Sequence, residues 1–486
     1  MGWFGNWVSH APSVKWWTRD NPLRLATDCS GLGIPEVAMD MLAGSERSVH
    51  VVFACDVWKM SRQWLAGLGM PSMILGDINL RVWRAEEGVI RAKDHKGNHV
   101  TIQREQADLD IYVCGFMCTP FTPSGARAGW KDENSKTFWS SLKTIMTLRP
   151  RVFVLENVKA ISNNSNSGVV DKAMEKLTGY VVVSLLMDST SYDVPQHRPR
   201  VYIVGFRKDC LLAAVQGKDK SIIQQLMEAR LAKAACQTKP DHFPSWLSAL
   251  GQGIKPFLQS SQSSQSSQSS ELAEEESDQK VCSCSADRLC ELHICQCPQC
   301  IKQGVQKKAC MWRQTMRRFR KSVKAVTKRR EYLKQWRKIR KDSKLKSVPT
   351  YFELAKRRGL STSFIKQPAK ICMLSTLSHH ENIMTPNAIL NYGKTYGRHQ
   401  FRMDGRVPTL GHGCLTFFVP ACATCLSIPQ LLCLSGFHPK ANQNIFELSE
   451  IMKKNDMGLL IGNSMCVPLV GHVMAAALGF ICPCCR

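Results

Sequence analysis

Residues 110–125 read Asp-Ile-Tyr-Val-Cys-Gly-Phe-Met-Cys-Thr-Pro-Phe-Thr-Pro-Ser-Gly, and this stretch sets the architecture expected of the whole chain. Its residues 111–114 form a short apolar run after an acidic residue, which predicts a buried strand. Gly115 ends that strand, and the prolines that follow predict a loop. Cys118 therefore lies just past the carboxyl end of a strand, where open α/β sheets bind ligands.

Cys118 has two interpretations on this stretch alone. A thiol in such a loop can reach a bound substrate and act as a nucleophile, whereas Cys114, inside the strand, cannot. A free cysteine is also a small apolar residue that is usually buried and inert. Both interpretations stay open at this point.

The chain before this stretch opens with a strand, a glycine turn and a helix. Residues 23–27 predict the strand, residues 28–33 (Asp-Cys-Ser-Gly-Leu-Gly) the turn, and Pro35 the first turn of the helix. This order is typical of the first unit of a nucleotide-binding α/β domain.

Two acidic residues follow the next two predicted strands. Residues 48–55 end in Asp56, and residues 72–75 are followed by Gly76 and Asp77. An acid after the second strand is placed to accept hydrogen bonds from ribose hydroxyls. Aspartate is also a common helix cap, so neither acid alone indicates a ligand site. The glycine turn and both acids together are a stronger indication of nucleotide binding.

The chain after the Cys118 loop continues the alternation. Residues 152–155 predict a strand that carries Glu156-Asn157-Val158 at its end, and Gln196-His197-Arg198-Pro199-Arg200 leads into a strand at 201–206. Residues 81–106 are polar, with a hairpin tip at 96–98, and receive no catalytic role. Alternating strands and helices over 23–206 predict a largely parallel sheet.

Several of these blocks resemble the cytosine-C5 methyltransferases. Residues 115–122 resemble their catalytic loop, Gly-Phe-Pro-Cys-Gln-x-Phe-Ser, with Met117 in place of proline and Thr119 in place of glutamine. Residues 23–33 resemble their cofactor loop, with Cys29 where phenylalanine is usual. Three further blocks, in the family's order, match its Glu-Asn-Val, Gln-x-Arg-x-Arg and Gly-Asn-Ser motifs: residues 156–158, 196–200 and 462–464.

The resemblance implies a Rossmann-like α/β methyltransferase sheet with helices on both faces, plus a smaller variable target-recognition domain with a disordered, basic insertion. It implies a DNA (cytosine-5-)-methyltransferase that moves a methyl group from S-adenosylmethionine to C5 of a flipped-out cytosine through a covalent Cys118 adduct. The implied catalytic residues are Cys118, Glu156, Arg198 and Arg200. The implied cofactor-binding residues are Cys29, Gly31, Leu32, Gly33, Asp56, Val57, Asp77, Ile78, Asn463 and Met465.

Two other functions remain alternatives. One member of the family methylates cytosine in tRNA with the same core, so an RNA substrate is the first alternative. The departures at Cys29, Met117 and Thr119 also suit a DNA-binding relative that has lost its chemistry. The intact Cys118, Glu156 and arginines favour an active enzyme.

The chain is expected to divide into four parts. These are a tryptophan-rich arm (1–20), the first part of the catalytic domain (21–210), a variable target-recognition region (211–445) and a segment that returns to the catalytic domain (446–481). A Ser/Gln repeat at 259–270 predicts a flexible linker inside the variable region.

Two segments of the variable region suggest partners. Cysteines concentrate at 282–310, where structural zinc and a loose run of thiols are the two alternatives. Residues 313–346 predict a basic helix that binds phosphates. With a formal net charge of +26, double-stranded DNA is the first partner expected and RNA the second.

The 22 cysteines are expected to be reduced thiols, because the N-terminus lacks the pattern of a secretory signal. No membrane span is expected, since no run of about 18 apolar residues is present. The expected location is the nucleus in a eukaryote and the cytoplasm otherwise.

Overall fold

The computed structural model describes residues 7–14, 16–121, 129–235, 389–391, 400–402, 404–411, 414–419 and 424–485, and all statements below concern these residues. They belong to one unit of the chain. The Ser/Gln repeat, the cysteine-rich segment and the basic helix lie outside the described residues. The expected domain boundaries stay predictions.

The strands are β1 (Leu23–Asp28), β2 (Val49–Cys55), β3 (Ile74–Leu75), β4 (Val82–Arg84), β5 (Val89–Lys93), β6 (His99–Gln103), β7 (Ile111–Cys114), β8 (Val152–Val158), β9 (Tyr180–Asp188), β10 (Pro199–Arg207), β11 (Ile389–Asn391), β12 (Gln400–Arg402), β13 (Phe417–Val419) and β14 (Thr424–Cys425). The helices are α1 (Trp7–His10), α2 (Ile34–Ala43), α3 (Lys59–Leu68), α4 (Arg104–Ala107), α5 (Lys136–Leu148), α6 (Asn164–Glu175), α7 (Lys220–Ala234), α8 (Ile428–Leu434), α9 (Gln443–Ile451), α10 (Lys454–Asn463) and α11 (Val467–Leu478).

A seven-stranded sheet in the order β3-β2-β1-β7-β8-β10-β9 forms the core. Neighbouring strands from β3 to β8 are parallel, and β10 runs antiparallel to both β8 and β9. The central strand β7 is buried along its whole length, as a strand covered on both faces must be. The expectation of a largely parallel α/β sheet is confirmed.

Two strands are longer than the sequence suggested. Strand β8 continues through Val158 and β10 begins at Pro199, because the two pair antiparallel with Val158 opposite Arg200 and Glu156 opposite Tyr202. The Glu-Asn-Val block and the last arginine of the Gln-x-Arg-x-Arg block are therefore on adjacent strands. Pairing across more than 40 positions could not be deduced from local pattern.

Helices cover both faces of the sheet. One cluster of buried side chains joins α5 and α6 to alternate residues of the strands, among them Tyr112 and Cys114 of β7. Val113 of β7 points to the opposite face because side chains alternate along a strand. On that face α11, whose twelve residues are all buried, contacts α2, α7, β8 and β10.

The helix pair α10–α11 is long and apolar enough to cross a membrane, but 89% of its most apolar window is buried inside the protein. This degree of burial is what the central helices of a folded domain show. Trp7 of the N-terminal arm also packs here, since a Cβ on Gly471 would lie 2.5 Å from its ring. Trp7 thus packs on the body of the domain.

Two smaller antiparallel sheets complete the described residues. Strands β4, β5 and β6 form a meander whose tip lies at residues 94–98, where the sequence predicted a hairpin. Strands β12, β11, β13 and β14 form the other sheet.

A buried ion pair ties the meander to the main sheet. Asp28, at the end of β1, is 1% exposed and accepts hydrogen bonds from both terminal nitrogens of Arg81, with Nη1 at 2.9 Å from Oδ2. The hydroxyl of Tyr112 on β7 donates to the same carboxylate at 2.6 Å. Arg81 also lies over the ring of Phe53 on β2. One carboxylate thus joins β1, β7 and the segment that leads into β4.

Breaking this ion pair should be costly, because Arg81→Met leaves the Asp28 carboxylate buried without a counter-charge. We expect a loss of about 3–5 kcal/mol in the free energy of unfolding, measured by urea denaturation. Arg84→Met is the matched control: its ion pair with Glu87 is roughly half exposed on both sides, and its loss should cost at most about 1 kcal/mol. Equal losses for the two variants would contradict the importance of the buried pair.

Candidate active site

The glycine turn after β1 has the left-handed backbone that its sequence suggests. Cys29, Gly31 and Gly33 all have positive φ, at 51°, 55° and 68°. Such angles cost glycine little but strain a cysteine, so Cys29 must be held by its surroundings. Helix α2 begins directly after the turn, with a proline in its first turn.

Asp56 holds this turn in place. Its Oδ2 accepts the Gly31 N–H at 2.9 Å, and its Oδ1 accepts the Trp58 N–H at 2.8 Å. Burial raises the pKa of its carboxyl group, and these hydrogen bonds oppose that rise. A carboxylate oxygen can accept more than one hydrogen bond, so both oxygens retain capacity for a ligand hydroxyl.

Asp77 has the capping role that the sequence offered as its alternative. Its Oδ1 accepts the Asn79 N–H at 2.8 Å and caps a short 3₁₀ helix at Ile78–Leu80. Ile78 is buried, whereas Val57, beside Asp56, is 54% exposed. The predicted roles of these residues toward a cofactor stay predictions.

A narrow cleft lies between the glycine turn, the end of β7 and the end of α10. It is narrow at Gly115, where a Cβ would lie 2.7 Å from Met465 Cε and 3.6 Å from Glu156 Oε2. Four of the expected cofactor residues line it: Cys29, Gly31, Asn463 and Met465. Its other described lining residues are Thr27, Asp28, Ser30, Ile34, Pro35, Val113, Gly115, Glu156 and Ser464.

The remaining expected cofactor residues, Leu32, Gly33, Asp56, Val57, Asp77 and Ile78, are not among the described lining residues of this cleft. Leu32 is buried, and its carbonyl accepts the indole N–H of Trp64 at 3.0 Å. A Cβ on Gly33 would lie 2.9 Å from Leu68, so this glycine allows α2 and α3 to pack closely.

Glu36 extends the support of the turn, and the sequence analysis missed it. It is fully buried in the first turn of α2, where it bonds to the Thr27 hydroxyl and its Oε2 has no partner. Burial raises its pKa to about 7. A protonated Glu36 can donate to Thr27, which leaves the Thr27 proton for Ser30 at 2.6 Å and the Ser30 proton for the Cys55 carbonyl at 3.1 Å.

Cys118 lies half-buried in the loop after β7, where the sequence predicted it. Asn157 Nδ2 donates to the Phe116 carbonyl at 2.9 Å, so the Glu-Asn-Val strand holds the loop. The Met117 N–H donates to the Thr137 hydroxyl of α5 at 3.2 Å. A proline at 117 has no N–H and could not make this bond, so the departure at Met117 allows Thr137 to hold the backbone of the loop.

Aromatic rings of the Cys118 loop pack against rings of other segments. Phe116 packs on Phe138 of α5 with ring centroids 5.1 Å apart, and Phe121 packs on Trp130 at 4.8 Å. Phe116 and Phe121 are both buried. Residues 122–128, which include Thr122, lie outside the described part of the loop.

Glu156 and Arg200 form a nearly buried ion pair beside Cys118, with 3.0 Å between Glu156 Oε1 and Arg200 Nε. The contact is an ion pair without the direction of a good hydrogen bond, because Oε1 lacks a hydrogen-bond partner. Burial and the Glu156 charge raise the pKa of the Cys118 thiol, while Arg200 and Arg198 oppose that rise. The structure thus brings the four expected catalytic residues together.

Arg198 differs from Arg200 in its contacts. It is 3% exposed, its Nη1 donates to the Leu410 carbonyl at 2.9 Å and its Nη2 donates to the Ser464 carbonyl. Its Nε is buried without a partner, and burial together with the Arg200 charge lowers its pKa to about 10. Arg198 therefore joins three distant segments of the chain behind the ion pair.

Sequence and structure comparisons identify relatives of this chain. The family model described as "C-5 cytosine-specific DNA methylase" matches residues 81–403, more than half of the chain. The chain is 35% identical over 104 residues to the Type II methyltransferase M.BsuFI of Bacillus subtilis, and 37% identical over 105 residues to M.Bsp6I of Bacillus sp. (strain RFL6). Each alignment covers 21% of this chain, and they cover 25% and 33% of those relatives.

Solved structures of similar proteins include the S. pombe Dnmt2 methyltransferase. It is 17% identical with a TM-score of 0.28, over 38% of this chain and 50% of that one. The extent of the family match decides the classification. This chain belongs to the C-5 cytosine-specific DNA methylase family.

Proposed function

We propose that this chain is a DNA (cytosine-5-)-methyltransferase, which moves a methyl group from S-adenosylmethionine to C5 of a flipped-out cytosine through a covalent Cys118 adduct. One observation carries the proposal: a thiol, a carboxylate and two guanidinium groups meet at the carboxyl edge of the sheet, and Glu156 also lines the cleft at the glycine turn. Family membership supports the same chemistry.

S-adenosylmethionine, which supplies an electrophilic methyl group when bound, would be held by residues in and around this cleft. Gly31 has a left-handed backbone, and Gly115 allows Met465 to lie against the end of β7, where a Cβ would be 2.7 Å from Met465 Cε. Asp56 would accept hydrogen bonds from the ribose hydroxyls with the capacity left on its oxygens. Val57 and Ile78 would flank the adenine, and Asn463 the far side of the cleft.

Cys118 and Glu156 would exchange a proton as the reaction begins. Cytosine C5 is a poor nucleophile, so the Cys118 sulfur adds to C6 and makes an enamine whose C5 can attack a methyl group. The Glu156 charge raises the pKa of this thiol. While Glu156 holds the proton taken from Cys118, its charge is neutralised and the two arginines stabilise the thiolate. As the sulfur adds to C6, Glu156 passes that proton to N3 of the ring and becomes a carboxylate again.

Arg200 would hold the Glu156 carboxyl group and face the ring, since its Nε is 3.0 Å from Oε1. A planar guanidinium can bind a carboxylate and the base at once, which lysine cannot do. Arg198 would act as a positioning residue, because its N–H groups already bind two carbonyls. A base then removes the C5 proton and the thiol leaves.

Double-stranded DNA is the proposed substrate. C5 and C6 are stacked inside a duplex, so the cytosine must leave the helix to reach Cys118. The formal net charge of +26 favours a polyanionic partner. The nuclear location in a eukaryote stays a prediction.

Transfer of labelled methyl from S-adenosylmethionine tests the proposal. We expect label in the cytosine C5 position of duplex DNA, and a loss of several orders of magnitude for Cys118→Ala, because the nucleophile is gone. Cys114→Ala is the matched control: this thiol is fully buried in β7 and should not touch substrate, so most of the activity should remain.

The other outcomes are equally informative. Label in tRNA alone would contradict the proposal that DNA is the substrate and would show that the enzyme acts on RNA. No label in either substrate, with S-adenosylmethionine still bound, would contradict the enzymatic function. Equal activity of the Cys118→Ala variant would contradict the covalent mechanism.

The Met117–Thr137 hydrogen bond should matter to the chemical step, because it fixes the backbone next to Cys118. We expect Thr137→Val to lower kcat about tenfold, as the loss of one positioning bond of about 1–1.5 kcal/mol would. The KM for S-adenosylmethionine should hardly change. Initial rates at saturating DNA measure both parameters.

Thr147→Val supplies the control, since this buried threonine is on the same helix and its hydroxyl bonds only within the helix, to the Lys143 carbonyl. Its kcat should stay near the unsubstituted value. In the Thr137→Val background, the further substitution Met117→Pro should cause no additional loss of kcat. Independent, additive losses would contradict the pairing of the two residues.

A further inference from the structure

Four thiols from two segments meet at the edge of the sheet opposite the candidate active site. Cys210 follows β10, and Cys482, Cys484 and Cys485 follow α11. The two segments pair through their backbones: the Cys482 N–H donates to the Cys210 carbonyl at 2.8 Å, and Leu211 lies opposite Ile481 in an antiparallel bridge.

The thiol cluster consists of Cys210, Cys482, Cys484 and Cys485, and its members influence one another's pKa values. The Cys485 thiol also donates to the carbonyl of Asp209, the neighbour of Cys210, at 3.5 Å. Among the described residues, no group of three or more His, Cys, Asp or Glu could hold a metal ion.

The backbone brings one pair to the separation that a disulfide needs. Cys482 and Cys485 have the Cys-x-x-Cys spacing, and the Cys485 N–H donates to the Cys482 carbonyl at 3.2 Å. A turn closed by such a bond keeps its end Cα atoms within about 7 Å. Disulfides span Cα separations of about 4.4–6.8 Å, so little movement is required.

The four thiols differ in acidity. The Cys484 N–H lowers the pKa of Cys482, and the neighbouring thiols add to this effect. Burial raises the pKa of Cys485 and raises that of Cys210 to about 11. Cys482 is also partly exposed. It is therefore the member of the cluster most able to attack, with protonated thiols beside it.

We propose that Cys482 and Cys485 form a redox-active dithiol that exchanges with low-molecular-mass disulfides such as oxidised glutathione. The Cys482 thiolate attacks one sulfur, the glutathione S–S bond breaks, and the first glutathione leaves with the proton that Cys482 lost. Cys485 then loses its proton and attacks the Cys482 sulfur of the mixed disulfide. The second glutathione leaves with that proton, so two protein thiols are oxidised and one disulfide is reduced.

This site is independent of methyl transfer. Arg151, just before β8, donates to the Cys485 carbonyl from Nε at 3.1 Å and Nη2 at 3.0 Å. Glu156 lies five residues further along that strand, a separation of about 16 Å. Failure of the proposed methyltransferase reaction would leave the dithiol proposal intact, and the reverse also holds.

Equilibration of the full chain in glutathione buffers of increasing oxidised fraction tests the site. Thiols are then blocked with N-ethylmaleimide, and peptides are mapped by mass spectrometry. We expect the peptide with Cys482 and Cys485 to lose two hydrogens and become resistant to blocking, ahead of the other cysteine peptides. Cys482→Ser should abolish this product, and Cys484→Ser should leave it.

Alkylation rates give a second measurement that does not depend on the disulfide. At pH 7, iodoacetamide should modify Cys482 roughly tenfold faster than its exposed neighbour Cys484, because only the thiolate reacts. A peptide that stays reduced in every buffer would overturn the proposal. A disulfide that joins Cys210 to Cys485 instead, or equal alkylation of Cys482 and Cys484, would also overturn it.

Discussion

The buried carboxylate of Asp28 is the constraint on which the site depends. A charge at 1% exposure is tolerable only with its counter-charge, and Arg81 and Tyr112 provide the partners. Asp28 ends β1 at the point where the glycine turn begins, and Tyr112 belongs to β7, which carries the Cys118 loop. The two strands whose ends form the cleft are thus fixed to each other by one group.

Further side chains hold the glycine turn and the Cys118 loop. Asp56 holds the N–H of Gly31, and Glu36 supports Thr27 from within α2. Asn157 and Thr137 hold the backbone of the Cys118 loop. Each of these polar groups makes a hydrogen bond that fixes the position of the turn or of the described part of the loop.

The electrostatics of the site couple the thiol to the carboxylate. Glu156 opposes ionisation of Cys118 while Arg198 and Arg200 favour it. The charge of Glu156 therefore disfavours the Cys118 thiolate. In the proposed reaction, neutralisation of Glu156 would favour the Cys118 thiolate.

Much of this could be predicted from the sequence, because the signals were local. The apolar run of β7 followed by Gly115 placed Cys118 at a strand end, and the positive φ of Gly31 agrees with its turn. The hydrogen-bond partners of Asp28, Glu36 and Met117 could not be predicted, since each partner belongs to a different element of the chain. An acid inside the apolar stretch of α2 was the one available sign of Glu36.

The antiparallel register of β8 and β10 could also not be predicted from the sequence. It places Glu156 beside Arg200 and turns Arg198 inward, toward the carbonyls of Leu410 and Ser464. From the sequence, Arg198 and Arg200 were given the same catalytic role, whereas their contacts in the structure indicate different roles. Helix pattern and strand pattern are local, but pairing between strands is set by the whole core.

The central claim is the covalent bond between Cys118 and cytosine, and trapping that bond tests it most directly. Fluorine at C5 cannot be removed as a proton is, so a duplex with 5-fluorocytosine and randomised flanking bases should arrest the reaction after methyl transfer. We predict a one-to-one adduct that requires S-adenosylmethionine and maps to Cys118 by mass spectrometry. An adduct at another cysteine, or methylation of ordinary DNA with no adduct on the fluorinated duplex, would contradict the claim.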